Sequence, residues 1–199
     1  MDLDPDLDLV RGLSAPDAET RRAALGALFD RHHERVFRTA YKVLGSAADA
    51  ADVTQEVFLH LADRIRSFRG DASLTSWIYR ITVNTAIDAR RRQARRPARS
   101  LSGGPAGADA EVAESRPGTS GPPEDPSLRS QREEREAQVR AALDRLSPKL
   151  RSVAVLRYFE NLSYEELAEV LDTSVGTVKS RLNRAHAALE KALADLTRP

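Results

Sequence analysis

The chain has 199 residues, enough for one ordinary domain or two small ones. Its 31 basic and 30 acidic residues nearly cancel, so the net charge of +1 excludes little. With no cysteine, a disulfide scaffold, thiol catalysis and cysteine-ligated zinc are all excluded.

No apolar run approaches the roughly 20 residues of a membrane span, and Met1 is followed by acids rather than a basic signal-peptide start. A soluble, cytoplasmic protein is expected. Aromatics are few, Ala, Leu, Arg and Glu are abundant, and strand-like alternation is missing, so the chain is expected to be all-α. The charges are unevenly placed. Residues 1–20 carry six acids against one arginine, whereas 88–99 carry six arginines against Asp88. Such asymmetry points to a polyanion partner met by one part of the molecule.

Residues 1–21 read as a frayed acidic extension. Leu25, Leu28, Phe29, Val36, Phe37, Ala40 and Leu44 then recur at helical spacing, and Gly45 ends the run as a C-cap does. A second helix is predicted from 47–49 to about Arg66, with Val53, Val57, Leu61 and Ile65 as its buried stripe. Asp52, Gln55, Glu56, Leu59, His60 and Asp63 point elsewhere, and an exposed leucine among them hints at a partner. A short loop holding Phe68, Arg69, Gly70, Asp71 and Ser73 leads into a third helix capped by Thr75 or Ser73. On that helix Ile78, Ile81 and Thr85 share one face, and Tyr79, Val83 and Ile87 share the opposite one. A helix apolar on two sides is wedged between neighbours. Between those faces runs a polar stripe of Arg80, Asn84 and Arg91, edged by Trp77 and leading into the arginine run. Each aromatic taken singly fits a core position, and the arginine run alone fits a favourable charge at a helix C-terminus. Together, aromatics interleaved with arginines beside a glycine loop suit single-stranded DNA, whose phosphates guanidinium groups neutralise while aromatic faces receive unstacked bases.

From 98 to 127 the chain has five Gly, five Pro and five Ser in 30 residues, with only Leu101 and Val112 as sizeable apolar side chains. Such a segment buries too little surface to offset its ordering entropy, so 98–130 is read as a flexible linker between domains at 22–97 and 131–197. In the second domain a charged helix at 131–145 is followed by Ser147 and Pro148, which open the next helix to about Asn161. Ser163 to Glu166 is a capping box for a short helix, 172–174 is a tight turn, and the last helix begins at Ser174 or Val175. Val175, Val178, Leu182, Ala185 and Leu189 form its buried face; Thr177, Ser180, Asn183 and Arg184 face outward, flanked by Lys179 and Arg181. Two short helices joined by a tight turn, the second polar and basic outward, make a helix-turn-helix, whose second helix enters the DNA major groove.

The two blocks resemble the two domains of an extracytoplasmic-function sigma factor, the small group 4 type of the sigma-70 family. The resemblance rests on Asp52-Val-Thr-Gln-Glu-Val-Phe58, on Phe68-Arg-Gly-Asp with Trp77-Ile-Tyr-Arg-Ile, Asn84 and Asp88, and on Leu162-Ser-Tyr-Glu-Glu-Leu-Ala168 with Val175 to Arg184. It implies a non-enzymatic protein without cofactor that binds core RNA polymerase and directs promoter recognition, melting and initiation. By that resemblance Asp52, Gln55, Glu56 and Leu59 dock on the clamp of the largest subunit, and the second domain meets the flap. The loop at 70–76 captures a flipped base of the −10 element, with Phe68, Arg69, Gly70, Asp71, Ser73, Trp77, Arg80, Asn84 and Arg91 around the melted strand. Thr177, Lys179, Ser180, Arg181 and Arg184 read the −35 element. An anti-sigma factor is the further partner implied.

The physics suits this division. Flipping costs a few kcal/mol, so a protein that traps the flipped base makes melting sequence-dependent. A 30-residue linker reaches up to about 100 Å, and tethering multiplies two weak affinities. Three departures from the family pattern stand out: Ala51 where an acid is common, the long Gly/Pro-rich linker, and the acidic extension. A stand-alone helix-turn-helix regulator leaves the first block idle. A metal nuclease using Asp49, Asp52 and Glu56 lacks a second carboxylate cluster.

Overall fold

The computed structural model describes residues 6–65, 68, 73–95 and 126–196. Among the described residues there are eight α-helices and no strand. The first unit holds α1 (Leu7–Leu13), α2 (Ala18–Leu44), α3 (Ala47–Arg64) and α4 (Leu74–Arg95). The second holds α5 (Pro126–Asp144), α6 (Pro148–Tyr158), α7 (Tyr164–Val170) and α8 (Val175–Leu196). Most of the expected linker lies outside the described residues, and helix already begins at Pro126, ahead of the expected start at 131.

Local chemistry sets the helix ends. The Asp17 carboxylate accepts the Thr20 backbone N–H at 2.7 Å, and that bond holds its pKa below the usual carboxylate value. Gly45 closes α2 at φ 82°, a left-handed conformation that a side chain resists. A Cβ there would also sit 3.1 Å from the Asp144 carboxylate. Of the two expected caps for α4, the Ser73 hydroxyl accepts the Ser76 N–H at 3.0 Å. Ser163 and Glu166 make both bonds of the capping box that opens α7.

The expected stripes are the buried ones. Val53, Val57 and Leu61 of α3, and Ile65 that caps its end, are buried against Leu28, Val36, Ala40 and Val43 of α2, with Leu74 and Ile78 of α4 closing the first core. The opposite apolar face of α4, with Tyr79 and Val83, joins Val153, Leu156, Leu167, Val170, Val178 and Leu182 in a second core. The wedge expected for α4 is therefore completed by the second unit. α6 links the whole: Val155 packs in the first core, Leu156 in the second, and Ala154 in a third with Leu143, Leu146 and Ala185. That helix stops at Tyr158, short of Asn161, which takes the left-handed conformation at φ 56°.

The acidic extension departs from the frayed reading. α1 packs its Leu9, Val10 and Leu13 into the first core. Asp6, only 2% exposed, pairs with Arg31 at 2.5 Å and with His32 Nε2 at 3.0 Å. Burial pushes the His32 pKa below its ordinary value; the Asp6 carboxylate opposes that shift without reversing it. The Asp6–His32 contact spans 26 positions and is invisible to periodicity, whereas Leu9, Val10 and Leu13 are a short apolar stripe among acids.

Candidate nucleic-acid interfaces

Asp52, Gln55, Glu56 and Leu59 lie together on the outer side of α3, opposite its buried stripe. Leu59 is 67% exposed, an apolar side chain set among acids and an amide. Glu56 pairs with Arg92 of α4 at 3.1 Å. With Asp49, Asp52, Arg92 and Arg95 it lines a groove between α3 and α4.

A second groove continues along these helices, lined by His60, Arg64, Trp77, Arg80, Asn84 and Asp88 among others. Trp77 and Phe68 form a ring pair with centroids 5.4 Å apart, and both also pack against the first core. The core and DNA readings of these aromatics are thus compatible: one edge is packed, the other half-exposed. Asn84 and Arg91 are exposed, and Arg91 pairs with Asp88 at 3.3 Å. Arg80 differs, since its guanidinium donates to the Glu169 carbonyl of α7 at 2.6 Å while its buried Nε has no partner. Arg69, Gly70 and Asp71 lie outside the described residues. One member of the arginine run serves the fold itself, as Arg90 donates to the Val43 carbonyl at 2.9 Å, at the negative end of α2.

In the second unit α7 and α8 form the helix-turn-helix. Ser174 accepts the Thr177 N–H at 3.2 Å and so caps α8, which starts at Val175. Val178, Leu182 and Ala185 are buried beneath it; Lys179, Ser180 and Arg184 are exposed, with Thr177 and Arg181 half-exposed. Arg184 is steadied along the helix by Ser180, through its carbonyl and hydroxyl at 3.3 Å each. Two cations lie over the Tyr164 ring, Arg157 at 5.2 Å and Lys179 at 5.9 Å from its centroid. An exposed, capped helix carrying lysine, arginine and hydroxyls can address base edges and phosphates in a major groove.

Two functional-looking residues had no sequence signal. Arg151 is fully buried on α6, donates to the Lys42 carbonyl at 2.6 Å and pairs with Asp144. Burial pulls its pKa down, and the Asp144 carboxylate pulls it back. Glu160, beyond the end of α6, accepts from Thr39 and from Tyr79, both in the first unit. Burial first, and then Glu160, push the Tyr79 phenol pKa up.

Two helical units, one carrying an exposed, basic helix-turn-helix and the other an acidic face beside an aromatic and arginine groove, are the features of a class of helical protein able to meet DNA. Residues 28–96 match the family model for Sigma-70 region 2, and residues 136–189 that for Sigma-70, region 4. The RNA polymerase sigma-H factor of Pseudomonas aeruginosa is 35% identical over 179 residues, covering 89% of this chain and 90% of that protein. The ECF RNA polymerase sigma-E factor of Escherichia coli is 34% identical, covering 88% and 89% respectively. CnrH, solved in complex with the cytosolic domain of CnrY, shares the fold with a TM-score of 0.64 at 24% identity, over 97% of this chain and 99% of that one. RpoE of Bartonella quintana, solved with the anti-sigma factor NepR, shares it with a TM-score of 0.60 at 19% identity, over 87% and 98%. The chain belongs to the extracytoplasmic-function group of the sigma-70 family.

Proposed function

We propose that this sigma factor docks on core RNA polymerase through Asp52, Gln55, Glu56 and Leu59 and carries two promoter readers, one in each unit. The first unit, residues 22–97, opens and holds the −10 strand with Phe68, Trp77, Arg80, Asn84 and Arg91, together with the loop bearing Arg69, Gly70, Asp71 and Ser73. The second, residues 131–197, reads the −35 element with Thr177, Lys179, Ser180, Arg181 and Arg184. The observation that carries this reading is the exposed, capped α8, whose basic and hydroxyl face is left free while its apolar face is buried.

The polymerase supplies the catalysis, and the sigma factor supplies position and strand capture without a catalytic group of its own. It acts where the polymerase is, in the cytoplasm; no helix among the described residues is long and apolar enough to cross a membrane. An anti-sigma partner is part of the proposal, supported by the fold's likeness to RpoE solved with NepR. Co-purification tests the docking: the tagged full chain is expected to retain core polymerase through size exclusion, and a chain eluting alone beside free core contradicts the reading.

A further inference from the structure

Among the described residues of the first unit, two large apolar side chains are exposed, Phe29 at 41% and Leu59 at 67%. Leu59 belongs to the docking face on α3. Phe29 lies on α2, which packs along α3, and its ring meets that of Phe58 with centroids 4.8 Å apart. His33, one turn further along α2, completes a triangle of rings: its centroid is 4.5 Å from that of Phe29 and 6.4 Å from that of Phe58. Phe58 is buried beneath, whereas Phe29 and His33 reach solvent. Gln55 and Ala62, both exposed, occupy the sector of α3 between Leu59 and Phe58, so the docking face continues from Asp52 across to the rings on α2.

Gly26 shares that face of α2, one turn before Phe29. A glycine well inside a helix costs backbone entropy and is disfavoured relative to alanine, so it marks a place where something needs the room. Gly12 has such a reason within the chain, since a Cβ there would lie 2.8 Å from that of Ala24, where α1 approaches α2. Gly26 has none: it is exposed, and a Cβ on it would meet nothing within 4 Å.

We infer that Gly26, Phe29 and His33 extend the polymerase-docking face from α3 onto α2, the ring triangle receiving an apolar side chain of the largest subunit and the bare backbone at Gly26 letting the same element come close. The inference rests on the assignment of the α3 face to polymerase. A lone exposed phenylalanine needs no partner; an aromatic cluster continuous with an exposed leucine and an unused helical glycine does. Rings already packed on one another lose little freedom on binding, as an anchor site requires. The exposed acids Asp30, Asp52 and Asp63 near these positions call for an occupant whose apolar side chain is flanked by basic ones.

The full chain, passed over immobilised core polymerase, tests the extension. Gly26→Gln adds an uncharged side chain in open space, so its melting temperature should equal or exceed that of the parent chain while affinity for polymerase falls several-fold. Phe29→Ala should also lower the affinity several-fold. Photo-crosslinking from p-benzoylphenylalanine in place of Phe29 identifies the occupant, and the largest subunit is expected to be captured in the assembled complex. Parent affinity in Gly26→Gln overturns the inference, as does capture of another subunit or of a second copy of this chain. Gln55→Lys with Glu56→Lys separates two failures. If that variant loses polymerase while Gly26→Gln and Phe29→Ala bind as the parent does, the extension alone falls; if it too binds as the parent does, the α3 assignment falls with it.

Discussion

α4 and α8 are both 22-residue helices with a polar, basic stripe, yet the fold treats the two stripes differently. α8 buries one apolar face and presents Lys179, Ser180 and Arg184 to solvent. α4 buries two apolar faces, one in each core, and the arginine at the centre of its stripe is bound to another part of the chain. A helix with a single covered face leaves its whole polar stripe in solvent, whereas a helix covered on both sides can have part of its stripe, here Arg80, bound by a neighbour while Asn84 and Arg91 stay exposed. The difference follows from sequence: α8 has apolar residues at one angular position, and α4 has Ile78, Ile81 and Thr85 on one side and Tyr79, Val83 and Ile87 on the other.

Breaking the first unit alone should give the largest effect. Gln55→Lys with Glu56→Lys places two positive charges where an acidic and amide face is assigned to polymerase, and like-charge juxtaposition at an interface costs several kcal/mol. Co-purification with core polymerase should be lost while the second unit still binds duplex DNA. The exposed Glu56–Arg92 pair contributes about 1 kcal/mol at most, so a melting curve should show the fold intact.

The converse change acts on α8. Arg184→Ala should cost about 1–3 kcal/mol of upstream DNA binding, a loss of roughly 5- to 150-fold, with polymerase association unchanged. An unaltered promoter footprint in that variant counts against the assignment. Ser163→Ala sharpens the comparison more gently, because it touches neither stripe and removes half of the capping box of α7. A loss of about 1 kcal/mol is expected, and a fall of roughly 2–4 °C in melting temperature.

The smallest effect concerns α1 and leaves both readers alone. The folded His32 resists protonation, so below its ordinary value of 6.5 the unfolded chain takes up a proton that the folded chain refuses. Stability should therefore fall as the pH drops from about 7.5 to about 5.5. The groups facing the imidazole are Asp6, which opposes the shift, and Arg31 and Arg35, which add to it. His32→Asn should flatten the dependence; a melting profile with the same slope in both proteins would show that His32 does not carry it.

The helices other than α1, the buried stripes, the capping box and the helix-turn-helix were legible because each is a local or periodic signal, though α5 begins at Pro126 rather than 131. Val53, Val57, Leu61 and Ile65 declare a stripe by spacing alone, and Ser163 with Glu166 declares a start by chemistry. The second apolar face of α4 announced a neighbour but not which one. What stayed hidden were single long-range pairs: Glu160 with Thr39 and Tyr79, Arg151 with the Lys42 carbonyl, Asp6 with His32. Such pairs depend on how two units meet, and no spacing rule within one helix encodes that.

Sequencing of run-off transcripts made by core polymerase with and without this protein, on a library of genomic fragments, tests the promoter-reading role most directly. With the protein present, 5′ ends should gather at defined positions, each preceded by one shared pair of upstream and −10 elements. Identical starts with core polymerase alone, or starts sharing no sequence, would contradict the account.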